Sequence, residues 1–533
     1  MDWVFDAETF PNIFTLAIGS VDKREAYVFE ISDRRDDSKS MRKFLGRLHR
    51  NNDRMIGFNN IGFDWPVLNF FLRNRGCSSW EIYDFAMEVL KTSDTDKFKY
   101  VIPNHKALIY QIDLYRIHHF DNKARATSLK MLEFNMRSPN IEDLPFAPGT
   151  KLTHAEKDTL VTYNKHDVKE TFAFYRETLD AIRFREELSK KYKRDFINHN
   201  DTKIGKDYFV MELEKAMPGS CYRQLPGGGR KINQTKREYI DLDDVIFPYV
   251  RFERPEFQEV LNWIRRQRIT ETKGVFTNIP EHELGELAQY ANLLTKKKKF
   301  KGEPTQEELD EFYREHPKGW VEEKLLKSGK TSYYAMWRVG SLNTVVDGFQ
   351  YDFGTGGIHG AVTNTILETD DDYVVETWDV SSYYPNLAIV NRVYPEHLGE
   401  KFCDIYRDVY LERKKYPKGT PENAVMKLAL NGTYGASNDK FSPFFDPKFT
   451  MAITINGQLS LCMLAEKLIE IDGLRIVMVN TDGLEFVVPR ESQEKAHQVC
   501  HEWEELTGLE LEGGVYKKLC IRDVNNYLGI LEE

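Results

Sequence analysis

The chain has 533 residues, 41% hydrophobic and 30% charged, with a formal net charge of −10. That length suits two to four domains, each with its own core, and excludes a single-core protein. No apolar run approaches membrane-spanning length, no signal peptide precedes the first strand, and the six cysteines (77, 221, 403, 462, 500 and 520) have no paired spacing; these exclude a membrane protein, a disulfide framework and a zinc ribbon, and a soluble cytosolic protein is expected.

Residues 3–10 alternate apolar and acidic side chains, predicting a strand with Asp6 and Glu8 on one face and Phe5 and Ala7 on the other. Two neighbouring carboxylates repel unless a cation or solvent compensates them, so the pair suggests metal chelation; an exposed strand face is the plainer alternative. Apolar segments at 13–18 and 26–31 follow at hairpin spacing and predict a meander. Within 57–66 a short apolar strand passes through the polar turn Asn59-Asn60 into a helical pattern over 67–72, with Asp64 at the junction, where helix N-capping alone would account for it. Thr153-His154-Ala155-Glu156 is a capping box opening a long helix, on which Tyr163 and Asp167 are four apart and share a face.

The middle of the chain is less legible. Residues 200–206 read as a loop entering a helix, Pro226-Gly227-Gly228-Gly229 as a flexible turn, and Thr305-Gln306-Glu307-Glu308 as the capping box of a charged surface helix. The overall charge gives no hint of nucleic acid, so such a reading rests on local sites. Lys296–Lys299 with Lys301, Arg413-Lys414-Lys415 with Lys418, and Lys517-Lys518 are candidates for phosphate contact, although a lysine run is more often a solvated loop. Gly356-Gly357-Ile358-His359-Gly360 would let backbone N–H groups approach a phosphate, or forms a plain turn.

Three later segments carry the chemistry. Asp379 closes the apolar-rich run 373–378, a predicted buried strand, and a second such run at 476–479 ends just before the turn Asn480-Thr481-Asp482-Gly483, so adjacent strand ends would bring Asp379 and Asp482 together. Between them Lys427, Asn431 and Tyr434 (i, i+4, i+7) share one helix face, offering a cation to a triphosphate and a ring to a base. Two carboxylates that can hold divalent ions beside such a face suit the joining of a 3′-hydroxyl to a nucleoside triphosphate.

In that order Asp379-Val380-Ser381-Ser382-Tyr383-Tyr384-Pro385, the segment 427–435 and Asn480-Thr481-Asp482-Gly483 resemble the family B DNA polymerase motifs DxxSLYPS, KxxxNSxYG and YxDTDS. The resemblance implies Asp379 and Asp482 as metal ligands, Lys427 with Arg413 and Lys414 on the triphosphate, Asn431 and Tyr434 lining the nascent pair, and Tyr384 as the aromatic that blocks a ribose 2′-hydroxyl. Two departures from the motifs limit what carries over: Asn480 stands where the third has its first acid, and Gly432 where the second has serine. Gly356, Gly357 and His359 resemble the family's template-contacting glycine motif. Residues 516–527 resemble its primer-gripping strand, which makes Lys517, Lys518 and Tyr527 DNA contacts, with Cys520 at the place of a tyrosine.

Asp6, Glu8, Asp64 and Asp167 with Tyr163 resemble the tyrosine subtype of the DEDD 3′–5′ exonucleases; the histidine subtype needs His where Thr162 stands, and His166 is out of register. There four acids hold two metals that activate water and the tyrosine orients it. Asn59 and Asn60 join this site as expected DNA contacts.

The implied fold is mixed α/β and α+β: a ribonuclease-H-like exonuclease domain (1–185), a connecting region (186–350), then a polymerase palm (351–390 and 451–533) interrupted by short helical fingers (391–450). The separations of 48 residues from Asp379 to Lys427 and 45 from Gly435 to Asn480 leave no room for the extra subdomains of protein-primed members. The expectation is a compact phage-like DNA polymerase with proofreading, using two Mg²⁺ per site with Mn²⁺ able to substitute. It would act on primer-template DNA and deoxynucleoside triphosphates in a cytoplasm, a bacterial host's if phage-encoded. A family thumb would follow residue 527 and none does, so a separate thumb-bearing polypeptide or processivity factor is an expected partner. The rival readings are an exonuclease with an impaired polymerase half, and a non-catalytic nucleic-acid-binding scaffold.

Overall fold

The computed structural model describes residues 1–122, 124–144, 146–327 and 329–532. They divide into two compact units, Met1–Ile204 and Gly205–Glu533.

In the first unit the alternating N-terminal segment forms β1 (Asp2–Phe10), antiparallel to β2 (Ile13–Ser20), which pairs with β3 (Ala26–Ser32). Through α1 (Ser38–Arg50) the chain reaches β4 (Arg54–Gly57), parallel to β1; α2 (Asp64–Arg73) and α3 (Ser79–Ser93) lead on to β5 (Tyr110–Asp113), parallel to β4. The sheet order is β3-β2-β1-β4-β5. Alternation along β1 splits the core: Trp3, Phe5 and Ala7 pack with Leu45, Trp65 and Phe71 on one side, and Val4 packs with Ile56, Ile112, Phe174 and Ile182 on the other. The short helices α4 (Leu114–Ile117) and α5 (Leu129–Asn135) precede α6 (His154–Tyr192), which opens on the expected capping box: Thr153 and Glu156 each accept the other's backbone N–H.

Two expectations are corrected in this unit. Asp64 is the first residue of α2 and does not cap it; Phe63 precedes the helix with no side-chain cap, and Asp64 Oδ1 accepts from Ala7 N at 3.2 Å. The boundary expected at 185 falls inside α6, where buried Arg185 donates to His199 O at 2.8 Å and Asp201 Oδ1 at 2.7 Å and ties the helix to the segment that follows.

After α7 (Asp201–Ala216) comes the hairpin of β6 (Tyr222–Gln224) and β7 (Arg230–Ile232). Its tip places Gly227, Gly228 and Gly229 at φ 91°, 92° and 86°, a region that only glycine enters without strain, and no atom lies within 4 Å of where their Cβ atoms would stand. β8 (Ile240–Asp241) pairs with β9 (Arg268–Ile269) across α8 (Pro255–Arg265). A small sheet follows from β10 (Ile279–Pro280), β11 (Leu294–Lys299), β12 (Trp320–Leu325) and β13 (Thr331–Gly340), all paired to β13, with α9 (Glu281–Leu284) and α10 (Gln306–Glu315) between them. Lys296–Lys299 therefore lie on an exposed strand rather than a loop.

The last sheet holds β14 (Asn343–Val346), β15 (Phe349–Phe353), β16 (Ile358–Ala361), β17 (Thr365–Glu368), β18 (Tyr373–Val380), β19 (Arg475–Asn480), β20 (Gly483–Pro489), β21 (Leu511–Asp523) and β22 (Asn526–Leu531). Its order is β14-β15-β16-β19-β20-β18-β21-β17, with β22 also on β21. Between β18 and β19 run α11 (Tyr383–Asn391), α12 (Lys401–Lys414), α13 (Pro421–Ala436) and the almost wholly buried α14 (Pro447–Leu468); α15 (Gln493–Thr507) joins β20 to β21. β18 is flanked by β20 and β21, and the β19 that the apolar runs suggested lies one strand further, beyond β20. The segment 516–527, expected as one strand, is a hairpin: Asp523 Oδ1 accepts from Asn525 N and Asn526 Nδ2, closing a tight turn.

Candidate active sites

The first unit gathers its acids around β1. Asp6 and Glu8 project from the face of β1 turned to α6, and Asn164 of that helix donates to Asp6 Oδ2 at 2.7 Å while its Oδ1 accepts from Thr15 Oγ1 at 3.1 Å. Oxygens of Asp6, Glu8 and Asp167 all lie within 4.8 Å of one another, a spacing one cation can bridge. Asp64 joins them through its bond to Ala7 N. Mutual crowding follows: burial and the Asn164 bond leave the Asp6 pKa at about 6, burial and then Asp6 push Asp167 to about 8, and Glu8 and Asp64 are raised well above the usual range by burial first and by Asp6 next. Burial and then Asp167, to which it is hydrogen-bonded, raise the phenol of Tyr163, which stays protonated.

Two residues here escaped the sequence reading. Asn164 is buried in the stripe Leu160, Asn164, Val168, and an asparagine at an apolar i, i+4, i+8 position was the available signal. Asp113, fully buried, accepts from Asn59 N at 2.9 Å, Ile61 N at 3.2 Å and Tyr115 N at 3.0 Å, fixing the turn that delivers Asp64. That turn also corrects an expectation: Asn60 is buried with its amide 2.9 Å from Gln111 Oε1, so it cannot touch DNA, whereas Asn59 is exposed.

In the second unit Asp379 pairs with Gly483 on one side and Glu512 on the other. A Cβ on Gly483 would stand 1.9 Å from Asp379 Oδ1, so the carboxylate lies over a residue with no side chain. Asp482 sits in the β19–β20 turn, where Val380 N donates to its carbonyl at 2.7 Å. Partial burial, then Asp482 and Glu512, raise the Asp379 pKa to about 6; burial raises Asp482 as well. Beneath them Glu485, 5% exposed, is pushed to about 8 by burial and then by Asp379, and its Oε2 has no hydrogen-bond partner among the described residues.

Both aspartates open into a cleft of about 430 Å³ lined also by Tyr384, Arg413, Lys418, Lys427, Asn431, Tyr434 and Glu512. Arg413 donates to Ser382 Oγ at 3.3 Å, and Ser382 is held at φ 48° where β18 turns into α11. Tyr384 donates to Gly356 O at 2.6 Å, and its ring centroid is 4.4 Å from that of Tyr434. Lys414 does not line this cleft: it pairs with Glu510 at 3.1 Å over the Tyr410 ring, and Lys418 stands there instead. Gly357 packs against Thr481 and Tyr384, and His359 Nε2 lies 3.3 Å from Thr481 Oγ1, so this segment braces the cleft. Lys518 is paired to Glu368, while Lys517 and Tyr527 are exposed. Oxygen-only donors with one unsatisfied buried oxygen fit a hard divalent ion such as Mg²⁺. No helix among the described residues is long and apolar enough to cross a membrane.

No family model matches the chain, and no curated protein matches it. Among solved structures it is similar to the family B DNA polymerase from the hyperthermophilic archaeon Pyrobaculum calidifontis, with 15% identity and a TM-score of 0.44, over 100% of this chain and 59% of that one. The chain thus spans about three fifths of that polymerase's length.

Proposed function

We propose that the chain is a template-directed DNA polymerase whose first unit is a 3′–5′ exonuclease that trims mispaired ends. The observation that carries this reading is the convergence, in one cleft, of Asp379 and Asp482 with three cations and two tyrosine rings in tilted contact from four other segments.

Asp379 and Asp482 would hold two divalent ions, which when bound neutralise the charge that develops on the attacking and leaving oxygens. Arg413, Lys418 and Lys427 place positive charge where a triphosphate enters, and the Arg413 bond to Ser382 fixes one of them beside Asp379. Tyr384, clamped by Gly356 and Tyr434, would wall the sugar site against a 2′-hydroxyl. Asn431, one turn from Lys427, and Tyr434 flank the incoming base. In the first unit Asp6, Glu8, Asp64 and Asp167 would hold the ions for hydrolysis, and the protonated Tyr163, held by its hydrogen bond to Asp167, would orient the attacking water through its phenol oxygen.

Primer extension with Mg²⁺ and all four deoxynucleotides, run beside 3′ trimming without nucleotides, tests the reading. Wild type should do both. Trimming without extension would leave the exonuclease-only alternative, and loss of both would leave a scaffold.

A further inference from the structure

Glu485 is a carboxylate in the wrong place for a structural role. It lies on β20 two residues beyond Gly483, opposite Thr377 of β18, so Asp379 and Glu485 are diagonal neighbours on one face of the sheet, a separation that long side chains span. Around it stand Thr377, whose Oγ1 reaches Oε1 at only 3.5 Å, the phenols of Tyr516 and Tyr527, and the apolar strand neighbours Val375, Met478 and Val487. Among the described residues no cation pairs with it, and its buried Oε2 has no hydrogen-bond partner. A lone buried carboxylate is costly unless it has a ligand to meet, and the charged groups facing it are Asp379 and Asp482, which repel it.

We propose that Glu485 adds a carboxylate to Asp379 and Asp482 in the second unit's cation site, besides the Glu512 that lines the cleft, its free oxygen holding divalent ions from the buried side of those two aspartates. The inference rests on the proposal that those aspartates bind metal. The contact is direct or through one ion-bound water, and in either form it raises cation affinity without touching nucleotide.

The test uses the full chain carrying Asp6→Ala, Glu8→Ala and Asp167→Ala, which takes acids from both groups of the first unit that could hold a cation, Asp6 with Glu8 and Asp167, and Glu133 with His166 and Asp167, so that Mn²⁺ read by electron paramagnetic resonance reports the second unit. Glu485→Gln keeps shape and volume and removes the charge; it should weaken Mn²⁺ binding ~10-fold, as loss of a group supporting a metal does. Added Asp482→Ala should weaken it further. Binding in Glu485→Gln within twofold of the parent overturns the proposal. Should that variant fail to melt cooperatively, Mn²⁺ soaked into crystals of the unaltered chain decides: an anomalous peak within about 5 Å of Glu485 Oε2, the span of one bridging water, supports it, and no peak there sinks it. Primer extension by the parent is measured alongside. Mn²⁺ held by all three acids without extension removes the polymerase reading and keeps this one; extension with Mn²⁺ indifferent to Glu485 does the reverse.

Discussion

Tyr384 is held at both ends, by the Gly356 carbonyl and by the ring of Tyr434, so its position does not depend on substrate. Tyr384→Ala should gain ribonucleotide incorporation, with deoxynucleotide addition weakened through lost packing, whereas Tyr384→Phe keeps the ring and should change selectivity little. An unchanged ratio for the alanine variant in a two-nucleotide competition refutes the steric role. Asp379→Ala or Asp482→Ala should lower extension by at least ~100-fold and leave 3′ trimming intact; extension near the parent rate in either ends the assignment. The acids gathered around β1 make a pH prediction. Asp6 and Asp167 rise from an ordinary 3.8 to about 6 and about 8, so the folded state keeps protons that the unfolded chain has released. Their contribution to stability is whole below about pH 4 and is lost as pH rises through those values. In a chelator the melting temperature should therefore fall between pH 5.5 and 8.5. Mg²⁺ should restore ~4 °C or more at the upper pH and less at the lower, since it favours the deprotonated acids. A melting temperature flat with pH would show that these acids are ordinary.

Helix packing sets how well each centre is held. Gly205 of α7 lies against α13, where a Cβ would stand 2.2 Å from Leu428 O, a backbone atom that cannot turn aside. Gly205→Ala should displace the helix that carries Lys427 and Asn431 and destabilise the second unit by ~1–3 kcal/mol; chemical denaturation indistinguishable from the parent would show that the close approach has no weight. The same scale explains what could be read in advance. Strand ends, capping boxes and the faces of α6 and α13 follow from periodicity within a few residues, so Asp6, Glu8, Tyr163, Asp379 and Lys427 were legible. Asn164, Asp113, Glu485 and Glu512 were not, because each acquires its role from a partner 52 to 158 residues away or from a strand pairing that local pattern does not specify. Placing β20 beside β18 is one such pairing; local pattern favoured β19.

For the whole molecule, the two acid sets lie in different compact units, and neither shares a residue with the other. Asp6→Ala with Glu8→Ala should eliminate trimming and spare synthesis, with misincorporated ends accumulating in the product; trimming that survived the double change would place the nuclease elsewhere. The glycine tip at 227–229 bears on how such measurements can be made. Its backbone already occupies conformations that ordinary side chains avoid, it projects into open space, and its strands are three residues each. A fluorophore-bearing peptide or affinity tag spliced there would lengthen a hairpin that contributes no residue to either acid set, giving experimenters an anchoring point for single-molecule work on a chain whose ends would then stay native.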